Sequence, residues 1–140
     1  MRPLKRLAGI GTAGLLATAL WGGGTAHAMG PLARFSCDVD LTITSEWPTG
    51  YVASLRYNNT GTEPFSPWIG HFELPAGDTL GPAWNGVFAT APPIVEVRGA
   101  VWAGTGMAAG SWAEVGFVVS RAAPDGPPLN YTLNGVICTV

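Results

Sequence analysis

From Cys37 onward the chain alternates with a period of two. Val39, Leu41 and Ile43 fall on one side, and Asp38, Asp40, Thr42 and Thr44 on the other. Alternation of this kind places successive side chains on opposite faces of a half-buried strand. Residues 51–58 repeat it, with Tyr51, Ala53, Leu55 and Tyr57 inward and Val52, Ser54, Arg56 and Asn58 outward. Glu46 to Gly50 reads as the turn between the two runs, and Asn58 to Thr62 as the turn after them. In Ser66 to Leu74, Trp68, Phe72 and Leu74 share a face, which predicts Trp68 in the core and His71 as a solvated strand residue. Leu80 to Thr90 and Ile94 to Gly99 are further short strands. Ser111 to Ser120 puts Ala113, Val115, Phe117 and Val119 in, and Trp112, Glu114, Gly116 and Val118 out. Leu129 to Thr139 reads as one last strand. Beyond residue 28 no window of 12 or more residues carries a helical period, so the expected fold is an all-β, antiparallel two-sheet β-sandwich in a single domain.

The first 28 residues follow a different pattern. Arg2, Lys5 and Arg6 precede an uncharged apolar stretch from Leu7 to Trp21, and Ala26-His27-Ala28 follows. A basic start, an apolar middle and a small-x-small site are the order of a secretory signal peptide. As a membrane anchor the run is short and interrupted by Gly9, Gly11 and Gly14. The expectation is a signal peptide at 1–28 and a secreted, extracellular mature chain at 29–140, with no membrane association after cleavage.

Removing the leader changes the charge. Arg34, Arg56, Arg98 and Arg121 remain with nine acids, a balance of −5 with no lysine. That argues against nucleic acid or an anionic membrane as partner. Polar contacts fall mainly to Thr, Ser, Asn and Gly. Cys37 and Cys138 stand near the two ends, and an even pair in an exported chain reads as a disulfide, two free thiols being the alternative. The bridge would close a loop of about 100 residues and contribute about 4–5 kcal/mol in the chain-entropy model. His71 is the one histidine beyond the leader, so neither a metal site nor a cofactor is expected.

Three tryptophans stand in turn chemistry: Ser45-Glu46-Trp47-Pro48-Thr49-Gly50, Ala83-Trp84-Asn85, and Val101-Trp102-Ala103-Gly104. Turns run over the surface. One exposed indole means little, but three in a small β domain suggest a stacking surface. Trp112, on the outward side of its strand, is a fourth candidate.

The order of these pieces resembles the bacterial family 2 carbohydrate-binding modules, the cellulose-binding domains of many glycosidases. The matching pieces run from Cys37 through Trp47-Pro48-Thr49-Gly50-Tyr51, Asn59-Thr60-Gly61, Trp68 to Leu74-Pro75, Ala83-Trp84-Asn85, Trp102 with its Gly-rich loop, Gly116-Phe117 and Thr132-Leu133-Asn134-Gly135 to Cys138. The resemblance implies a jelly-roll-like sandwich with bridged termini. It implies a planar strip of Trp47, Trp84 and Trp102 that stacks on the sugars of crystalline cellulose, often chitin as well, while Trp68 is buried. Xylan-binding relatives generally lack one strip tryptophan. The polar residues beside the strip depart from the family. Ser45 and Ser54 stand at asparagine positions, Pro82 at a glutamine position, and Ala103 where an asparagine often follows the third tryptophan. Glu114 and Val118 replace glutamine and asparagine. The carbohydrate-binding residues expected here are thus Trp47, Trp84, Trp102, Trp112, Ser45, Ser54 and Glu114.

The reading is a secreted, stand-alone, non-catalytic module, monomeric, attaching to insoluble polysaccharide: cellulose, with chitin or xylan as further ligands. A surface adhesin on the same fold is the alternative. A small glycoside hydrolase is the other rival; it needs two placed carboxyl groups, one kept protonated, and the acids here are scattered along the chain.

Overall fold

A computed structural model describes residues 33–100 and 104–140. The proposed signal peptide and Trp102 lie outside the described residues. Nine strands follow one another: β1 (Cys37–Trp47), β2 (Gly50–Asn59), β3 (Ile69–Glu73), β4 (Thr79–Trp84), β5 (Gly86–Ala91), β6 (Ile94–Gly99), β7 (Trp112–Ser120), β8 (Leu129–Leu133) and β9 (Val136–Ile137). They form two antiparallel sheets, ordered β1-β2-β7-β4 and β5-β6-β3-β8-β9. No helix occurs among the described residues.

The inward positions of the alternating runs make the core. Tyr51, Leu55, Tyr57, Phe72, Val97, Phe117, Val119 and Leu133 are fully buried. Phe72 of the second sheet stacks on Phe117 of the first at 5.1 Å, and the Tyr57 hydroxyl donates to the His71 carbonyl at 3.0 Å. Trp68 is 3% exposed and packs on Tyr57, as the strand period predicts. Burial pushes the Tyr57 phenol far up and that of Tyr131 up to about 12, so both remain neutral hydrogen-bond donors. Cys37 and Cys138 are joined by a disulfide, which ties the first residue of β1 to the segment after β9.

The structure departs from the sequence reading at four points, the first being that the run Leu80 to Thr90 is two strands, β4 and β5, in different sheets. Trp47 is the last residue of β1, not part of a turn; Pro48 and Thr49 alone reverse the chain. Residues 129–139 are not one strand. Asn134 (φ 49°) and Gly135 (φ 83°) make a two-residue turn between β8 and β9, the left-handed pair that a tight hairpin requires. Asn59, read from the sequence as part of a turn, ends β2 and is buried, and Asp78 is buried as well. Asn59 is held by donating to the carbonyls of Glu63 and Met107.

Candidate functional site

The outer face of the β1-β2-β7-β4 sheet collects the candidate residues. On β7 the outward positions are Trp112, Glu114, Gly116, Val118 and Ser120. Opposite them on β2 stand Asn58, Arg56, Ser54, Val52 and Gly50. Strict alternation along β1 from Val39 would carry Ser45 and Trp47 to the core side. A bulge prevents it: Ile43 pairs with Ala53 but Ser45 already pairs with Val52, so Thr44 is the extra residue. A one-residue slip exchanges the faces, and Ser45 and Trp47 turn outward. β4 repeats the device. Leu80 pairs with Val119 and Ala83 with Phe117, three residues against two, and Trp84 emerges opposite Gly116. Two bulges therefore aim two tryptophans at one face.

Each of these indoles lies on a glycine. A β-carbon at Gly50 would stand 3.1 Å from Cε2 and Cζ2 of Trp47. One at Gly116 would fall within the ring of Trp84, which explains why Gly116 is buried on an outward position. Trp47 is 39% exposed, Trp84 43% and Trp112 54%. Their rungs cross β7 at Ser120, Gly116 and Trp112. Steps of four residues at about 3.4 Å each set them about 14 Å apart along the strand. Asn85, with φ 64°, turns the chain directly after Trp84 into β5 of the other sheet.

The remaining candidates share this face. Ser45 is exposed, and Ser54 is half-buried opposite Gly116, directly beneath the Trp84 rung. Glu114 is exposed but engaged: Arg56 donates to its Oε2 from Nη2 at 3.1 Å and Nε at 3.3 Å. The Arg56 guanidinium also sits 4.1 Å over the Trp112 ring, so one face of that indole is covered. Beside it Asn58 donates to Asp38 at 2.6 Å and Asp40 at 2.9 Å. The structure thus brings together Trp47, Trp84, Trp112, Ser45, Ser54 and Glu114. Sequence reasoning missed Arg56, and missed Gly50 and Gly116 as the floor beneath the rings. A glycine at an outward strand position was the available signal for Gly116.

The opposite face of the sandwich is built differently. An open depression of about 430 Å³ is lined there by His71, Glu73, Ile94, Asn130, Thr132 and Ile137. His71 meets Glu96 at 3.2 Å, and Arg98 donates to Glu96 at 2.8 Å. The Arg98 guanidinium, aided by His71, holds the Glu96 carboxyl below its ordinary range. No exposed tryptophan borders this depression. Among the described residues no group of three or more His, Cys, Asp or Glu is placed to hold a metal ion.

The family model described as "Cellulose binding domain" matches residues 37–138, from one bridged cysteine to the other. The chain belongs to the cellulose binding domain family. It is 35% identical over 128 residues to Endoglucanase CelA of Streptomyces lividans, covering 89% of this chain and 28% of that one. It is 32% identical over 95 residues to a cellulose/chitin binding protein of Mycobacterium tuberculosis, covering 68% of this chain and 66% of that one. Among solved structures it resembles the chitin-binding domain of Chi18aC from Streptomyces coelicolor, with a TM-score of 0.60, 29% identity, and coverage of 74% of this chain and 94% of that one. The chain spans only a small part of the first curated relatives it matches, 28% of CelA and 10% of Exoglucanase B from Cellulomonas fimi. As in the family resemblance read from sequence, the cellulose binding domain here is a two-sheet sandwich closed by a disulfide.

Proposed function

We propose that this cellulose binding domain is an exported, non-catalytic module that attaches to insoluble β-1,4-linked polysaccharide by stacking indoles on sugar faces. The leader 1–28 is removed, and 29–140 acts as a monomer. The observation that carries the reading is that Trp47, Trp84 and Trp112, on three strands of one sheet, are each exposed and lie on rungs that cross β7 at Ser120, Gly116 and Trp112. Trp102 joins them in this reading as a further plate.

The physical basis is simple. The faces of β-linked sugar rings present axial C–H groups, and an indole π-face is negative and accepts them. Each ring covered removes about 100 Å² of apolar surface from water, about 2.5 kcal/mol at about 25 cal/mol per Å². Three rings supply about 7–8 kcal/mol before association costs, compatible with about micromolar binding to a repetitive solid. Ser45, Ser54 and Glu114 offer oxygen partners to sugar hydroxyls at the side of the rings. They are fewer and shorter than amides, so orientation is less constrained than adhesion. Cellulose is the proposed main ligand, with chitin and xylan as further ligands.

The test is a pull-down of the protein on microcrystalline cellulose, chitin and insoluble xylan, beside Trp84→Ala checked for folding by circular dichroism. Binding by the parent and its loss in the folded variant is the expected result. A parent that stays in solution with all three solids overturns the reading. Release of soluble reducing sugar from any of them would overturn its non-catalytic part.

A further inference from the structure

An edge strand presents unpaired N–H and C=O groups to any strand that can reach it. The edges of this sandwich are β1 and β4 of one sheet, and β5 and β9 of the other. Three of them carry features that discourage pairing. β1 holds Asp38, Asp40 and Glu46, is bulged at Thr44, and is capped at its start by two bonds with Thr139. β4 contains Gly81-Pro82 inside its own bulge, and a proline has no N–H to give. β9 is only two residues long.

β5 has none of these features. Gly86–Ala91 carries no charge and no proline, and all six residues pair with β6 in an unbroken register. Val87, Ala89 and Ala91 stand on the outward side, opposite Arg98, Glu96 and Ile94, and Val87 is 53% exposed. Phe88 and Thr90 stand on the inward side, opposite the buried Val97 and Val95. Thr90 is nonetheless exposed, so the sandwich is open along this strand. Among the described residues, β6 is the one segment whose backbone bonds to β5.

We propose that β5 pairs antiparallel with β5 of a second copy of this chain when the modules gather on their solid ligand. The inference rests on the stacking function above. Two features favour a second copy over a foreign strand. The first is self-complementarity. A two-fold pairing centred on Ala89 sets Ala89 opposite its own copy, Val87 opposite the copy of Ala91, and Phe88 opposite the copy of Thr90. No charge meets a like charge across that seam. Elsewhere copies repel, because beyond residue 28 four arginines stand against nine acids. The charge nearest the centre, Glu96, lies one strand behind and is already engaged by Arg98 at 2.8 Å.

The second feature is the direction of the symmetry axis. The two-fold axis of an antiparallel strand pair is perpendicular to the sheet, so rotation about it keeps each face on its own side. Both copies then turn their tryptophan faces the same way and can lie together on one flat solid. A seam of six residues a side falls well short of the roughly 800 Å² per partner of a stable complex. In dilute solution the module is therefore the monomer proposed above. On a solid, copies lie face down and already oriented at high local concentration, and pairing couples two attachments into one. The contact is isologous, so it closes at two copies and does not grow into a fibre.

The experiment compares adsorption isotherms on microcrystalline cellulose for the parent, Ala89→Lys, Ala89→Glu and an equimolar mixture of the two variants, with folding checked by circular dichroism. Ala89 is exposed on the face opposite the tryptophans, so neither substitution touches the stacking surface. The parent is expected to adsorb cooperatively. Each variant alone sets like charges against each other at the centre of the seam. It is expected to lose the cooperativity and to adsorb about fivefold more weakly at low coverage. The mixture sets opposite charges together and restores the parent curve. A parent curve that Ala89→Lys leaves unchanged, or a mixture that fails to restore it, overturns the pairing and leaves the edge to a foreign strand. Should the parent stay off every solid, sedimentation equilibrium at about millimolar protein decides. A weak dimer lost in Ala89→Lys and regained in the mixture upholds the pairing and refutes the stacking function instead, and the absence of a dimer overturns both.

Discussion

The indole of Trp84 rests on Gly116, its partner across the β4–β7 ladder, so closely that the space for a β-carbon at 116 is the space the ring occupies. The obstructing atoms are the far end of a side chain at the sheet edge, free to swing outward. Gly116→Ala is therefore expected to tilt the ring and weaken cellulose binding about tenfold, about 1.4 kcal/mol. Its unfolding midpoint should stay close to that of the parent. Binding isotherms beside urea denaturation check both halves.

Gly50 gives the contrasting case. A β-carbon there meets the Val119 carbonyl oxygen, a backbone atom that cannot swing away, as well as the Trp47 ring. Gly50→Ala is expected to cost about 1–3 kcal/mol of stability through overpacking, in addition to any loss of binding. Denaturant unfolding of the two alanine variants side by side separates ring displacement from backbone strain.

Trp112 is the most exposed of Trp47, Trp84 and Trp112, yet Arg56 covers one of its faces. Trp112→Ala is expected to reduce cellulose binding less than Trp84→Ala. Arg56→Ala should change stability by less than about 1 kcal/mol, since both its ion pair and its ring contact are at the surface. Isotherms of the single variants and the double variant show whether uncovering the ring changes its contribution.

Glu96 supplies a test through pH. Its carboxyl is held low by Arg98 and His71. The stability it contributes is present above the ordinary glutamate range and lost as pH falls through the lowered value. Glu96→Gln is expected to cost less than about 1 kcal/mol near pH 7, because the group is partly exposed, and nothing near pH 2. Thermal unfolding as a function of pH reads the convergence of the two curves.

Reduction of Cys37–Cys138, or Cys37→Ser with Cys138→Ser, releases a crosslink that spans a separation of 101 residues. About 4–5 kcal/mol of stability is expected to be lost in the chain-entropy model, measured by denaturant unfolding with and without reductant.

Much of the fold was legible because alternation is a direct image of the strand. The runs around Tyr51, Phe72 and Phe117 named their buried faces correctly, and Trp68 followed from the same period. The orientation of Trp47 and Trp84 was legible only as exposure in turn-like surroundings and by family resemblance. Its cause is a bulge upstream of each: Thr44 looks like any strand residue, whereas Gly81-Pro82 is the kind of pair that marks an edge or a bulge within a strand and was not read so. The Asn134-Gly135 turn was available as a dipeptide signal and was passed over inside an apolar run. The Arg56–Glu114 contact joins residues 58 positions apart, and only the sheet register brings them together.

The bridge between Cys37 and Cys138 also has a mechanical side. Residues 38–137 lie inside a covalent loop. Tension that enters through the chain before Cys37 and leaves through the chain after Cys138 passes along the sulfur–sulfur bond and not through the hydrogen bonds of the strands. Pulled from both flanks at once, the module would pass the load from one side to the other through a single covalent link, and its sheets would stay folded.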